Sequence, residues 1–354
     1  MRRKIYIIYT GGTIGMKKTK NGYAPQKGYM ENELKLIREL ENNEMPAYDF
    51  HEYDEVLDSA NIGINDWIKI ARDIKNNYEK YDGFVVLHGT DTMAYTASAL
   101  SFMLEDLDKP VILTGSQIPL GEIRNDARDN LIAAMLISAN PKIKEVCLYF
   151  GNTLMRGNRA TKVSAFSLNA FESPNYPPLA KAGVSIIIDK NANRQNFAAD
   201  FDKIGNKNSL VKENDKRLKL FELKAHQIAV LKVFPGMQME IIEYIITKDL
   251  KGIVLEAYGA GNIPSDNEDL NKIFKMANDN GTIIVVCTQC LSGSAIMGEY
   301  EASKGLVEAG AISGFDMTIE AAVTKLYYLL SKNYPVEKVK ELMQKNLRGE
   351  ITNA

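Results

Sequence analysis

Apolar positions along this chain fall into two alternating patterns, short unbroken β-branched runs and longer stretches with an apolar residue every three or four positions. The first reads as buried strand and the second as amphipathic helix. The opening run, Ile5-Tyr6-Ile7-Ile8-Tyr9, is too short for a helix and breaks at Gly11-Gly12. That leaves Thr13 as the first reactive side chain past the strand's C-terminal end, where open α/β sheets bind ligands. Helical spacing follows over 31–40 through Leu34, Ile37 and Leu40, and over 65–78 through Ile68, Ala71 and Ile74. Residues 83–88 form a second continuous run, typical of a parallel strand covered on both faces, ending at Gly89-Thr90-Asp91. A helix over 92–105, a strand over 111–113 ending in Thr114-Gly115-Ser116-Gln117, a helix over 126–138 and a strand over 145–150 ending in Gly151-Asn152 complete the first half. Repeated strand ends of glycine plus a small polar side chain describe a site lined by hydroxyls.

Between 189 and 219 the composition turns to Asn, Lys, Asp and Arg. A second series then predicts strands over 228–234, 252–257 and 282–287, with helices near 239–247, 267–278, 318–330 and 336–345. The expectation is an α/β protein with a larger N-terminal parallel-sheet domain over 1–188, a linker over 189–219 and a smaller C-terminal α/β domain over 220–354.

Composition narrows the function. A chain of 354 residues, 45% hydrophobic, can build two proper cores. Lys and Arg number 43 against 45 Asp and Glu, so the net charge of −2 offers no field for nucleic acid or an anionic membrane. Arg2 and Arg3 precede only five apolar residues, too few for a signal-peptide core, and no later run approaches membrane-spanning length. Three cysteines in so large a chain suit a reducing cytoplasm. Cys287 and Cys290 make a C-x-x-C, but Cys147, His51, His88 and His226 stand at no spacing that would complete a zinc site. Neither metal nor cofactor is implied.

The loop at 11–15 has two functional readings and a bland one. Gly11, Gly12 and Gly15 partly match a dinucleotide fingerprint, yet residues 16–25 lack the helical period that fingerprint requires. Alternatively the glycines hold Thr13 as a hydroxyl nucleophile, followed by a mobile loop that brings Tyr23 over it. An idle threonine in a tight turn is the third reading. Amide hydrolysis needs a nucleophile, a proton acceptor, oxyanion donors and groups that fix the substrate, for which Thr13, Tyr23, Asp58-Ser59, Thr90-Asp91, Ser116 and Lys162 are candidates. Each has an ordinary alternative: Asp58-Ser59 a turn or cap, Thr90-Asp91 the N-cap of the next helix, Lys162 a surface lysine. With three histidines, and His88 on a strand, a Ser-His-Asp arrangement is poorly supported.

Taken together, Thr10-Gly-Gly-Thr13-Ile-Gly15, Gly22-Tyr23-Ala-Pro25, Asp58-Ser59, His88-Gly-Thr90-Asp91-Thr92 and Arg159-Ala-Thr-Lys162 resemble the signatures of bacterial-type L-asparaginases. The match runs nearly the whole chain in order. Asp58-Ser59, Gly115-Ser116-Gln-Ile-Pro119 and Thr288-Gln-Cys290 make it most similar to the cytosolic type I branch. The resemblance implies hydrolysis of L-asparagine to L-aspartate and ammonia through a β-aspartyl-threonine, without cofactor, in a cytoplasmic homodimer or homotetramer. By position it implies Thr13 as nucleophile, Tyr23 as its activator, and Thr90, Asp91 and Lys162 as a second triad. Gly12, Asp58, Ser59, Thr90, Asp91 and Ser116 would bind substrate.

Physics supports most of these roles. An anion such as Asp91 suits an α-ammonium, and backbone amides of Ser59 and Thr90 suit a carboxylate. A lysine base, however, must be neutral, and bringing an ammonium from about 10.4 to near 7 costs about 4 to 5 kcal/mol. Lys162 therefore reads as an electrostatic and proton-relay element, and a tyrosine base faces a similar deficit. In type I enzymes that asparagine activates, the resemblance further implies an effector site at Thr161, Asn262, Thr288 and Cys290 together with an arginine, whose place here is taken by Glu256. An anion there repels an effector carboxylate, so allosteric activation is expected to be absent or altered. The same motif occurs in amidase subunits of tRNA-dependent amidotransferases, which carry an extra N-terminal domain, and in lysophospholipases with ankyrin repeats, whose 33-residue period does not follow here. A non-catalytic amino-acid sensor with the same pocket is the remaining alternative.

Overall fold

Strand β1 (Lys4–Gly11) is buried at all but its first residue, and the chain is built outward from it. Ile5, Ile7 and Ile8 are fully buried, each side chain contributing about 1.5 to 3 kcal/mol. A computed structural model describes residues 2–20, 22–189, 218–246, 249–264, 268–299 and 301–352. Most of the expected linker, 190–217, lies outside the described residues. The chain divides into two units, Met1–Phe221 and Glu222–Ala354.

In the first unit β1 lies between β4 (Ala47–Leu57) and β5 (Gly83–Leu87), parallel to both. Next to β5 come β7 (Val111–Thr114) and β8 (Val146–Phe150), also parallel. From there the sheet turns antiparallel through β9 (Thr153–Arg156), β12 (Ala180–Ala182) and β13 (Ile186–Ile188), so it is mixed rather than purely parallel. Helices α2 (Ile64–Asn77), α3 (Met93–Met103) and α4 (Ala127–Ser138) are the crossovers. The remaining strand pairs of this unit are β2 (Met16–Thr19) with β3 (Gly22–Pro25), β10 (Thr161–Lys162) with β11 (Phe171–Glu172), and β6 (Leu104–Glu105) with β14 (Lys219–Leu220).

Several boundaries differ from the expectation. The apolar spacing over 31–40 is divided between α1 (Tyr29–Lys35) and a 3₁₀ turn at Arg38–Glu41, with Ile37 extended between them. Leu34, Ile37 and Leu40 are all buried, so the period reported burial rather than one continuous helix. The segment 16–25, which lacks a helical period, is the β2–β3 hairpin, with Tyr23 opposite Lys18.

The second unit holds a parallel sheet in sequence order, β15 (Ile228–Lys232), β16 (Gly252–Ala257), β17 (Ile283–Thr288) and β18 (Ile312–Ser313). Around it lie α5 (Met239–Ile246), α6 (Glu268–Asp279), α7 (Glu301–Glu308), α8 (Ile319–Ser331) and α9 (Val336–Met343). No helix among the described residues is long and apolar enough to cross a membrane.

Candidate active site

Where β1 ends, its register with β4 shifts between Tyr9 and Gly11, and the bulge sets Leu57 beside Gly11. Gly12 N–H donates to Leu57 O at 3.1 Å, which brings Asp58 and Ser59 alongside the Thr13 turn. Gly12 sits at φ 86, and a Cβ there would stand 2.3 Å from the Gly89 backbone. At Gly89 a Cβ would in turn lie 2.5 Å from Ser59 Oγ. Glycine at both positions lets the ends of β1, β4 and β5 meet backbone to backbone. Thr92 Oγ1 adds a tie to Ser59 O at 2.7 Å.

Thr13, half-buried, opens the short 3₁₀ turn Thr13–Gly15. Beyond the glycine contact, Lys162 Nζ donates to Thr90 Oγ1 at 2.8 Å and to Asp91 Oδ1 at 2.7 Å. Thr90 Oγ1 in turn donates a hydrogen bond to Gln117 Oε1 at 3.3 Å, which ties in the loop carrying Ser116. Ser116 is fully buried and donates to Ile118 O at 2.6 Å. Thr90, Asp91, Lys162, Gly12, Ser59 and the Ser116 loop therefore form one connected set.

Two candidates make hydrogen bonds outside that set. Asp58 is exposed, and its Oδ1 accepts Ala60 N–H at 3.1 Å, so it also serves as the cap that its sequence allowed. Tyr23 is 46% exposed and its hydroxyl donates to Glu122 Oε1 at 2.8 Å. That hydrogen bond, with smaller help from burial and charge, raises the phenol above its ordinary range. Thr90-Asp91 is not the cap of α3: Thr92 holds that position, and its side chain bonds Ser59 rather than the helix.

His88 is fully buried beneath this loop. An indole can only donate, so Trp67 Nε1–H to Thr96 Oγ1 at 3.0 Å turns the Thr96 proton toward His88 Nε2 at 2.9 Å. The His88 Nδ1 proton then goes to Gly89 O at 2.7 Å. Burial pushes this imidazole down to about 4, which keeps it neutral. It holds the Gly89–Asp91 turn and bonds no nucleophile.

Sequence reasoning missed the support of the Ser116 loop. The Asp126 carboxylate accepts Gln117 N–H and Ile118 N–H, both at 3.0 Å, and Asn130 Nδ2 donates to Gly115 O at 3.0 Å. The signal was present as Asp126 and Asn130, two polar residues one turn apart at the start of a helix whose later turns are apolar. Of the expected effector residues, Thr161 lies in β10 and the other four at the C-terminal ends of β16 and β17 or the turns that follow. Glu256 is paired with Lys232 at 3.2 Å. Among the described residues no group of three His, Cys, Asp or Glu could hold a metal ion.

Residues 4–194 match the family description "Asparaginase, N-terminal" and residues 227–343 match "Glutaminase/Asparaginase C-terminal domain". The chain belongs to the asparaginase family. It is 44% identical to L-asparaginase 1 of Escherichia coli K12, over 99% of this chain and 98% of that one. Its fold is similar to the crystal structure of L-asparaginase I from Vibrio cholerae, with 45% identity, full coverage of both chains and a TM-score of 0.87. The L-asparaginase of Thermococcus kodakarensis is also similar, at 31% identity, 99% and 100% coverage and a TM-score of 0.82. In this asparaginase-family member a threonine stands in each of the loops that follow β1 and β5, Thr13 and Thr90.

Proposed function

We propose that this protein hydrolyses L-asparagine to L-aspartate and ammonia through a β-aspartyl ester on Thr13. The observation that carries the reading is the hydrogen-bonded set Thr90-Lys162-Asp91, at 2.8 and 2.7 Å, seated against the Thr13 turn through the Gly12–Gly89 contact. Relatives named L-asparaginase over nearly full length support the same substrate.

In this reading the Asp91 and Asp58 carboxylates serve the substrate's α-ammonium, while the backbone amides of Ser59 and Thr90 hold its α-carboxylate. Ser116 lines the pocket for the side-chain amide. Thr13 Oγ1 attacks the amide carbon with Tyr23 handling its proton, and ammonia leaves. Lys162 and Thr90 then order the water that opens the ester. As an ammonium Lys162 satisfies both acceptors it faces, so its role is electrostatic and it need not be a free base. The same reading places the protein in the cytoplasm as a dimer or tetramer, which light scattering would test.

Ammonia release from L-asparagine and L-glutamine over a wide concentration range tests the activity. Turnover preferring asparagine is expected; asparagine binding without turnover would instead identify a sensor.

A further inference from the structure

The loop between β7 and α4 reaches beyond Ser116 to touch the Tyr23 hairpin. Its fold is pinned from within. Glu122 N–H donates to Pro119 O at 3.0 Å, Asn125 Nδ2 donates to Glu122 O at 2.7 Å and to Leu120 O at 3.2 Å, and Asp126 holds the opposite end. Its outward contacts meet three neighbours. Leu120 N–H donates to Ile14 O at 3.0 Å, within the Thr13 turn. Gly121 lies so close to α1 that a Cβ there would stand 2.2 Å from the Tyr29 hydroxyl oxygen. Glu122 Oε1 accepts a hydrogen bond from the Tyr23 hydroxyl at 2.8 Å, and β3 itself packs against the Thr13–Gly15 turn. One rigid loop thus joins the nucleophile's turn, the pocket residue Ser116 and the hydroxyl of Tyr23.

A tyrosine acting alone as base must first ionise. At a reference value of about 10, roughly one phenol in a thousand is ionised at pH 7, and a phenol that donates to a carboxylate is ionised less often still. A carboxylate needs no such preparation. We propose that Glu122 is the proton acceptor behind Tyr23, so that Tyr23 works as a neutral relay. This rests on the reading of Thr13 as nucleophile and Tyr23 as its partner.

The step balances. As Thr13 Oγ1 bonds to the amide carbon, its proton moves to Tyr23 Oη while the proton already on Oη moves to Glu122 Oε1. When the carbon–nitrogen bond breaks, that proton returns through Tyr23 to the departing nitrogen, which leaves as ammonia. Tyr23 begins and ends as a phenol and Glu122 as a carboxylate.

The test is the steady-state rate of ammonia release by Glu122→Gln, Tyr23→Phe and the double variant, with thermal unfolding run on each. Glutamine keeps the size and a hydrogen-bonding oxygen but cannot take the proton. Expected for Glu122→Gln is a kcat lower by about 100-fold with KM within about twofold of wild type. The double variant should be no slower than Tyr23→Phe alone, because both changes break one relay. A Glu122→Gln kcat within about threefold of wild type beside an inactive Tyr23→Phe would overturn the role of Glu122 and leave that of Tyr23 standing. An active Tyr23→Phe would overturn both.

Discussion

Two lysine–carboxylate pairs in this molecule are nearly identical in length and opposite in circumstance. Lys162 meets Asp91 at 2.7 Å with the two side chains 21% and 62% exposed, whereas Lys325 meets Glu350 at 2.6 Å with both at 0%. The buried pair is closed on all sides. Lys325 Nζ also donates to Met343 O at 2.9 Å and Lys345 O at 2.5 Å, and Glu350 accepts Leu347 N–H at 2.9 Å and Arg348 N–H at 2.6 Å. Burial pushes the Glu350 carboxyl up, but Lys325 and those amides outweigh it and hold it below the usual range. This pair fastens the C-terminal turn to α8. The other presents a hydroxyl and a carboxylate at the open ends of strands, where a substrate can replace solvent. The difference lies in where the remaining hydrogen-bonding valences go, and it separates a structural pair from the one to which the proposed mechanism gives a role.

Variants at the two pairs should lose different properties. Thr13→Ala and Thr90→Val should each lower ammonia release by at least about 10³-fold with unfolding unchanged. Lys325→Met should strand Glu350 and cost about 3 to 5 kcal/mol in denaturant unfolding, while the folded fraction keeps its kcat. The double change Lys325→Met with Glu350→Leu should recover most of that stability. Lys162→Met should do the reverse, losing at least about 100-fold in kcat and no more than about 1 kcal/mol of stability. Equal loss of stability in Lys162→Met and Lys325→Met would erase the distinction.

A smaller effect concerns His88. Its folded value of about 4 lies below that of the unfolded chain, near 6.5, so its contribution is fully present above about 6.5. As pH falls from there toward about 4 the unfolded chain binds the extra proton, and stability drops by about 3 kcal/mol. Urea midpoints at several pH values should follow that slope in wild type and flatten in His88→Asn. Smallest is Glu256: initial rates against L-asparagine should be hyperbolic, and a sigmoidal wild-type curve that becomes hyperbolic in Glu256→Ala would contradict the expected loss of activation.

Much of this architecture was legible because buried parallel strands leave unbroken apolar runs, as at 83–87 and 283–287. Of the candidate site, Thr13, Thr90, Asp91 and Ser116 were legible because they stand just after buried strands. What escaped was at the margins. Strand β4, the longest among the described residues at 11, lies at the sheet's edge, and its apolar Tyr48, Phe50, Tyr53 and Val56 are interrupted by the charged Asp49, Glu52, Asp54 and Glu55. The antiparallel β9, β12 and β13 are too short to carry a period of their own. Glu122 and Asp126 escaped because their partners, Tyr23 and the Gln117 and Ile118 amides, are set by the tertiary path of a loop, which no local spacing records.

Which threonine becomes esterified decides between Thr13 and Thr90 as the nucleophile. Wild-type protein mixed with L-asparagine, quenched in acid within milliseconds and analysed by peptide mass spectrometry should carry an aspartyl group on the peptide holding Thr13. An aspartyl group on the Thr90 peptide, or full ammonia release by Thr13→Ala, would contradict it.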